Sequence, residues 1–330
     1  MSMDDQQQAV AALSEAQNII ILSHVQPDGD CIGSMLALGL ALQSMGKKVI
    51  MANNDPVPQY LSFLPSASQV QLAAQITDWP ELVICVDCSD LERLGSGLAA
   101  SVRGLNNIVN IDHHVSNNRY GTINWVEPDA AATGQLVATL IAALNVAWNH
   151  DLATLIYTAI ATDTGSFQYG NTTGDVHRLA ARLVEQGLDV ARINQALYET
   201  KSLPSIRLLG RALENLQVSE NGKVGWVVIP LHYLAELGAK DEHTEGIINY
   251  TRAIDSVEVG LLFRELSPGK IKVGFRSKQL VDVNQLAMFF GGGGHTRAAG
   301  CNINGDLSKT VERVIKKTCE VIEAAHGRHN

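Results

Sequence analysis

Four apolar runs in the first half of this chain each end in a carboxylate or an imidazole, and no other feature limits the fold so tightly. Asn18 to Ser23 leads into His24-Val25-Gln26-Pro27-Asp28-Gly29-Asp30, and Glu81 to Val86 leads into Asp87. Asn107 to Ile111 leads into Asp112-His113-His114, and Thr154 to Ala161 into Asp163. Strand signals at Ile19–Leu22, Lys48–Ala52, Leu82–Val86 and Ile108–Ile111 alternate with helical stretches such as Asp30–Met45. That rhythm predicts an α/β fold with a mainly parallel sheet and right-handed crossovers. Charged groups at the ends of parallel strands converge on one rim of the sheet, where such folds bind their ligands. Six such groups in one place suit two divalent cations better than one.

From Val218 the rhythm changes to strands with period-two alternation, at Val224–Ile229, Val257–Leu266 and Lys270–Arg276, with helices expected at His243–Arg252, Val283–Phe290 and Leu307–Ala325. The expected organisation is a metal-binding domain over residues 1–195, a linker helix over 196–217 and a smaller α+β domain over 218–330, with a cleft between the domains. At 330 residues the chain has room for two cores, and 46% hydrophobic with 18% charged residues is ordinary globular composition. The net charge of −9 argues against binding long nucleic acid, which needs a basic face. It favours short phosphorylated substrates, because bound cations invert the local potential. No signal pattern and no apolar run of membrane-spanning length is visible, and five cysteines without framework spacing point to a reducing compartment, so the cytoplasm is expected. Oligomeric state is not written in the sequence, and a homodimer is left open.

In the first motif, Pro27 and Gly29 shape a turn that aims His24, Asp28 and Asp30 at one point. Alternatively, Asp28 and Asp30 cap the helix that follows. Gly33 and Ser34 are expected in its first turn, where free amides favour a phosphate. Asp87 ends a run too apolar for a surface strand, so its carboxylate needs a cation or a donor. Cys85 and Cys88 fit a redox or zinc pair by spacing, but nothing completes a zinc site, and packing cysteines are the expectation. Adjacent residues leaving a strand point in opposite directions, so His113 and His114 have different partners, with Asp112 placed to fix the tautomer of a ring. Asp163 at a helix C-terminus opposes the helix dipole, a local rule broken at many functional sites. Asn171, Thr172 and Thr173 after it either reach substrate or cap the next helix.

In the second half, Gly291-Gly292-Gly293-Gly294-His295 allows close backbone approach and a nest of amides for phosphate oxygens, or else is a flexible loop closing a helix. Arg276, beside Ser277, offers a guanidinium suited to phosphate, whereas Arg264 is expected to be neutralised by Glu265. The remaining histidines (His150, His177, His232, His243, His326 and His329) are expected at the surface.

These motifs, in this order, resemble those of the DHH phosphoesterase superfamily. The first is His24-x-x-Pro27-Asp28-Gly29-Asp30-x-x-Gly33-Ser34, then Asp87, then Asp112-His113-His114, then Asp163. Gly291 to His295 with Ala298-Ala299-Gly300 is similar to the motif of the DHH-associated C-terminal domain. The two-domain layout resembles the nano-RNase/pAp phosphatase group. The resemblance implies a manganese-dependent enzyme that hydrolyses very short RNA and the 3′-phosphate of pAp through a water activated between two cations. It implies one metal on His24, Asp28 and Asp87 and a second on Asp30, Asp87, His113 and Asp163. It also implies His114 at the scissile phosphate, with Arg276, Ser277, Gly292, Gly293, Gly294 and His295 on the substrate. Competing readings are a soluble cyclic dinucleotide phosphodiesterase, an inorganic pyrophosphatase and a nucleotide sensor without turnover.

Overall fold

Ile19, Ile20, Ile21 and Leu22 are apolar in succession, so a strand made of them must be covered on both faces. In the structure, a computed structural model that describes residues 4–76 and 78–326 except for the side chain of residue 326, they are fully buried in β1 (Asn18–Leu22). His329 and the side chain of His326 lie outside the described residues. The chain divides into two compact units, Met1–Thr200 and Lys201–Asn330.

In the first unit α1 (Asp5–Glu15) precedes β1, and α2 (Gly29–Ser44), β2 (Lys48–Asn53), β3 (Gln71–Leu72) and β4 (Leu82–Val86) follow. After them come α3 (Ser96–Val102), β5 (Ile108–Asp112) and β6 (Ile123–Val126). The sheet runs β3-β2-β1-β4-β5-β6 with every pair parallel. From β1 the chain fills one side of the sheet, then crosses back to β4 and fills the other. The loops leaving β1 and β4 therefore diverge, and this switch point carries His24 and Asp87. Helices α4 (Thr133–Ala143) and α5 (His150–Asp163) join α2 on one face, over Ile19, Ile21, Ile84 and Val109. On the other face α3 sets Leu98 and Val102 against Ile20, Leu22 and Val83. Then α6 (Gly174–Val184) and α7 (Val190–Asn194) complete the unit, with one π-helical turn over Gln195–Glu199.

Three helices meet where the site is built, and glycine is what lets them. A Cβ on Gly33 of α2 would stand 2.7 Å from the Leu155 carbonyl and 3.1 Å from Ala159 Cβ, both on α5. A Cβ on Gly134 of α4 would stand 2.5 Å from Ala159 Cβ. Gly33 is thus a packing residue and its amide is not a phosphate donor. The Ile32 amide already donates to the Asp28 carbonyl at 3.2 Å, so the free donors of α2 end before Gly33.

The second unit opens with α8 (Leu203–Glu214), whose Leu208 and Ala212 pack on Val227, Ile229, Leu234 and Ile247. Next come β7 (Gln217–Val218), β8 (Val224–Ile229), α9 (Leu231–Leu237), α10 (Ile247–Ala253), β9 (Val259–Ser267) and β10 (Lys270–Ser277). The unit ends with α11 (Val283–Phe289), β11 (Gly293–His295), β12 (Ala298–Asn304) and α12 (Leu307–His326). Its sheet, β11-β12-β10-β9-β8-β7, is antiparallel except for β8 with β9. Leu261, Phe263, Val273 and Phe275, two apart on each strand, form its core with Ala299 and Cys301. Arg264 departs from expectation. Its Nη1 donates to the Asp241 carbonyl and Thr244 Oγ1, while Glu265 instead accepts from the Leu231 amide. All five cysteines are free, and among the described residues no helix is long and apolar enough to cross a membrane.

At an open helical position Gly→Ala gains about 1 kcal/mol. At Gly33 the overlap with α5 reverses the sign, and Gly33→Ala should lower stability by about 1–3 kcal/mol. Urea unfolding of the two proteins measures this, and an equal or higher midpoint for the variant would contradict the packing account.

Candidate metal centre

The β1–α2 loop places His24 with Nδ1 2.9 Å from the Val25 carbonyl, which leaves Nε2 to face Asp87 Oδ2 at 3.3 Å and Asp28 Oδ2 at 3.7 Å. That Nε2 is buried and makes no aligned hydrogen bond. Asp28 does cap α2, Oδ1 accepting from the Asp30 and Cys31 amides at 3.1 Å, while Oδ2 turns to His24. Asp30 caps a different helix. It accepts from the Thr133 amide at 2.7 Å, the Gly134 amide at 2.9 Å and Ser34 Oγ at 3.1 Å. Ala132, the residue before α4, has no capping side chain, so a buried carboxylate 103 residues away serves as its cap.

Asp87 leaves β4 with φ 55°, a left-handed conformation that costs a non-glycine residue free energy and persists only where its surroundings enforce it. Here its amide is fixed to the Ile111 carbonyl at 3.0 Å. Oδ1 accepts from Thr133 Oγ1 at 2.9 Å and lies 3.6 Å from both His113 Nε2 and His114 Nδ1.

The two histidines after β5 diverge as their adjacency requires. His113 sets Nδ1 against the Ala130 carbonyl at 3.1 Å and Nε2 among Asp163 Oδ2 at 3.3 Å, Asp30 Oδ2 at 3.6 Å and Asp87 Oδ1. His114 sets Nδ1 against Asp112 Oδ1 at 2.7 Å, and its Nε2 receives Arg93 Nη1 at 3.2 Å. A guanidinium only donates, so His114 Nε2 is the acceptor and Nδ1–H is the donor to Asp112. Asn117 Nδ2 holds the other oxygen of Asp112 at 2.6 Å.

Asp163 ends α5, and a left-handed turn stops the helix there, with φ 56°, 59° and 64° at Gly165, Ser166 and Phe167. The Phe167 ring is seated between Tyr157 and His177. Asn171 Nδ2 ties the Asp163 carbonyl to that of Ala131, both at 3.1 Å, and Thr173 is the N-cap of α6.

So many carboxylates cannot all be charged in one buried place without compensation. Burial first, and then the charges of Asp87, Asp163 and Asp28, hold Asp30 well above the usual carboxylate range. Burial pushes Asp163 up to about 6, against the opposing pull of His113. Burial also acts to raise Asp87, but the imidazoles of His24, His114 and His113 outweigh it and hold it well below its ordinary value. Metal fits this donor set. His24 and His113 each spend Nδ1–H on a backbone carbonyl and turn Nε2 toward carboxylates, the arrangement in which imidazole ligates. Donor atoms of Asp30, His113 and Asp163 lie within 4.8 Å of one another, as do those of His24, Asp28 and Cys31. Cys31 was not foreseen. Burial and the nearby carboxylates push its thiol far up, and it donates to the Asp28 carbonyl. Cys85 and Cys88 are buried, and burial drives the Cys85 thiol up to about 12, which suits packing.

Thr133, Gly134, Arg93 and Asn117 were also missed. Each is a single residue in an unremarkable local context, and only the tertiary fold brings it to the centre.

In the second unit, Arg276 of β10, Ala298 of β12 and His295 of β11 form one row across three adjacent strands, so Arg276 and His295 share a sheet face. Ser277 points to the other face, fully buried, with Oγ 3.5 Å from the Thr296 carbonyl. The glycine run begins by closing a helix, the second of the two readings offered by the sequence. The Gly291 and Gly292 amides close α11 on the Met288 and Ala287 carbonyls, and Gly293 and Gly294 enter β11. A Cβ on Gly292 would stand 2.1 Å from the Gly300 carbonyl, so close strand approach accounts for that glycine.

A parallel sheet whose switch point gathers these carboxylates and imidazoles, joined to a second mixed-sheet unit, defines a protein class. The chain belongs to the DHH family, with the DHH N-terminal domain matching residues 18–160 and the DHHA1 domain residues 226–324. It is 33% identical over 308 residues to the bifunctional oligoribonuclease and PAP phosphatase NrnA of Thermus thermophilus, covering 93% of this chain and 91% of that one. The protein of the same name from Bacillus subtilis is 32% identical, with 89% and 92% covered. The crystal structure of an exopolyphosphatase-related protein from Bacteroides fragilis superposes with a TM-score of 0.85 at 26% identity, covering 98% of this chain and 96% of that one.

Thr133 orients Asp87 through its hydroxyl without reaching the centre itself. Thr133→Val keeps the shape and removes the donor, and should weaken binding of a divalent cation at this candidate centre by about 10–100-fold, the usual cost of losing a residue that orients a ligand. Calorimetric titration of metal-free protein measures it, and unchanged affinity would remove Thr133 from this role.

Proposed function

We propose that this protein hydrolyses very short RNA, dinucleotides such as pApA and pGpG, to nucleoside 5′-monophosphates, and removes the 3′-phosphate of pAp. The observation that carries the reading is the convergence of His24, Asp28, Asp30, Asp87, His113 and Asp163 on one place at the sheet's switch. The names of the relatives, oligoribonuclease and PAP phosphatase, support the substrate class. Two divalent cations, manganese in this reading, would be held by His24, Asp28 and Asp87 and by Asp30, Asp87, His113 and Asp163. Bound there, such a pair lowers the pKa of water and offsets charge on the phosphoryl oxygens.

The chain's own residues prepare the rest. The Val25 and Ala130 carbonyls fix the tautomers that free Nε2 of His24 and His113. Thr133 fixes the rotation of Asp87, and Asp112 keeps the proton of His114 on Nδ1. In the reaction the oxygen of water forms a bond to phosphorus, the P–O3′ bond breaks, and the 3′ oxygen leaves with a proton. A dinucleotide pApA and one water thereby become two molecules of AMP.

Purified protein with Mn2+ should convert pApA to AMP and pAp to AMP, and chelator should abolish both reactions. A panel that adds pGpG, cyclic dinucleotides and pyrophosphate decides the class. Turnover of a cyclic dinucleotide or pyrophosphate with pApA untouched would refute the assignment.

Arg276 and His295 are proposed to bind the part of the substrate that does not react. Arg276→Ala or His295→Ala should then lower dinucleotide hydrolysis by about tenfold or more, the scale of one charge-assisted contact. Hydrolysis of bis-p-nitrophenyl phosphate should change much less, because the small ester does not use those contacts. Equal losses on both substrates would place the two residues in the catalytic machinery instead.

A further inference from the structure

We propose that Arg93 is a catalytic residue of this centre, donating to a non-bridging oxygen of the substrate's phosphoryl group. The inference rests on the phosphoesterase reading above. It begins with charge. Two divalent cations would balance the carboxylates of Asp28, Asp30, Asp87 and Asp163, and Asp112 then leaves the cluster negative. A phosphodiester arriving there carries a further negative charge, so a positive group beside the cations favours its approach. Arg93 supplies such a charge, and as a permanently protonated guanidinium it cannot be consumed as a metal ligand.

The position of Arg93 fits the role. Its Nη1 lies 3.2 Å from His114 Nε2, so the guanidinium stands beside the cluster. Among the described residues no carboxylate lies within ion-pairing distance of it, although acidic groups crowd the adjoining space. An arginine with no carboxylate partner, whose Nη1 meets only an imidazole, keeps most of its N–H donors for an incoming anion.

The backbone holds it there. Arg93 sits on a single 3₁₀ turn, Leu91–Leu94, pinned by the buried side chains of Leu91 and Leu94. The Asp90 carboxylate caps that turn through the Glu92 amide at 2.8 Å. The Arg93 carbonyl accepts from the Val25 amide at 2.7 Å, which locks this turn to the loop that carries His24, Asp28 and Asp30. The donor and the candidate ligands are thus one preorganised unit, the condition under which a hydrogen-bond donor stabilises charge in a transition state at no reorganisation cost. His114, held by Asp112, presents its Nε2 as a place for the guanidinium to rest until phosphate arrives.

Arg93→Ala, Arg93→Lys and wild type, each loaded with Mn2+, test this through metal stoichiometry, AMP binding by calorimetry, and steady-state hydrolysis of pApA. Arg93→Ala should keep wild-type metal content and melting temperature, bind AMP about tenfold or more weakly, and lose about a hundredfold or more in kcat/KM. Arg93→Lys should recover part of the loss, since it restores charge without the planar fork. Guanidinium chloride at non-denaturing concentration should restore activity to Arg93→Ala where equal NaCl does not. Wild-type AMP affinity in Arg93→Ala, or a loss of activity matched by a loss of bound manganese, would overturn the proposal. If wild type itself fails to turn over pApA and pAp, the phosphoesterase reading falls, while the AMP comparison still decides whether Arg93 holds phosphate.

Discussion

Burial of like charge at one point is the constraint on which the first unit depends. Asp30 and Asp87, both buried, and Asp163, partly buried, approach a common centre, an arrangement that costs several kcal/mol per uncompensated buried ion. The fold meets that cost in three ways. Imidazoles stand between the carboxylates, backbone amides at the start of α4 point at Asp30, and the Thr133 hydroxyl takes the remaining direction of Asp87. The glycines that let α2, α4 and α5 approach one another serve the same end, because a wider helix spacing would withdraw the α4 amides from Asp30. Fold and site are therefore not separable here: the helix packing is the support of the charge cluster.

The parts of this centre visible in the sequence are those whose signal is local. An acidic residue or a histidine at the end of an apolar run stands out because burial without a partner is costly, and His24, Asp87, His113 and His114 after strands and Asp163 at the end of a helix all have that context. Asp112 was legible for the same reason, and its partner is His114. Arg93, Thr133 and Asn117 gave no such sign. A threonine opening a helix or an arginine in a polar turn occurs on any surface, and only contacts from distant chain segments give these three a role. Gly33 was misread for a related reason, since what it makes room for lies on α5, more than a hundred residues away in sequence.

The fold was legible to a similar depth. The all-parallel sheet follows from the strand–helix alternation, and the long apolar runs gave strands with ends correct to within a residue or two. The strands β3, β6, β7, β11 and β12 escaped notice, β11 because glycines carry no strand propensity and pair here only through the neighbouring backbone of β12. Part of the same run closes α11, as one reading of the sequence had it, and its close approach to β12 is a tertiary feature with no local signal.

The carboxylate of Asp30 has a double allegiance, to the candidate metal centre and to the first amides of α4. Charge drawn from that carboxylate toward a cation is charge withdrawn from two N–H groups of the backbone. The amides of Thr133 and Gly134 are thus wired to the centre as native spectroscopic probes, and their proton and nitrogen resonances should register its occupancy without any label placed in the site.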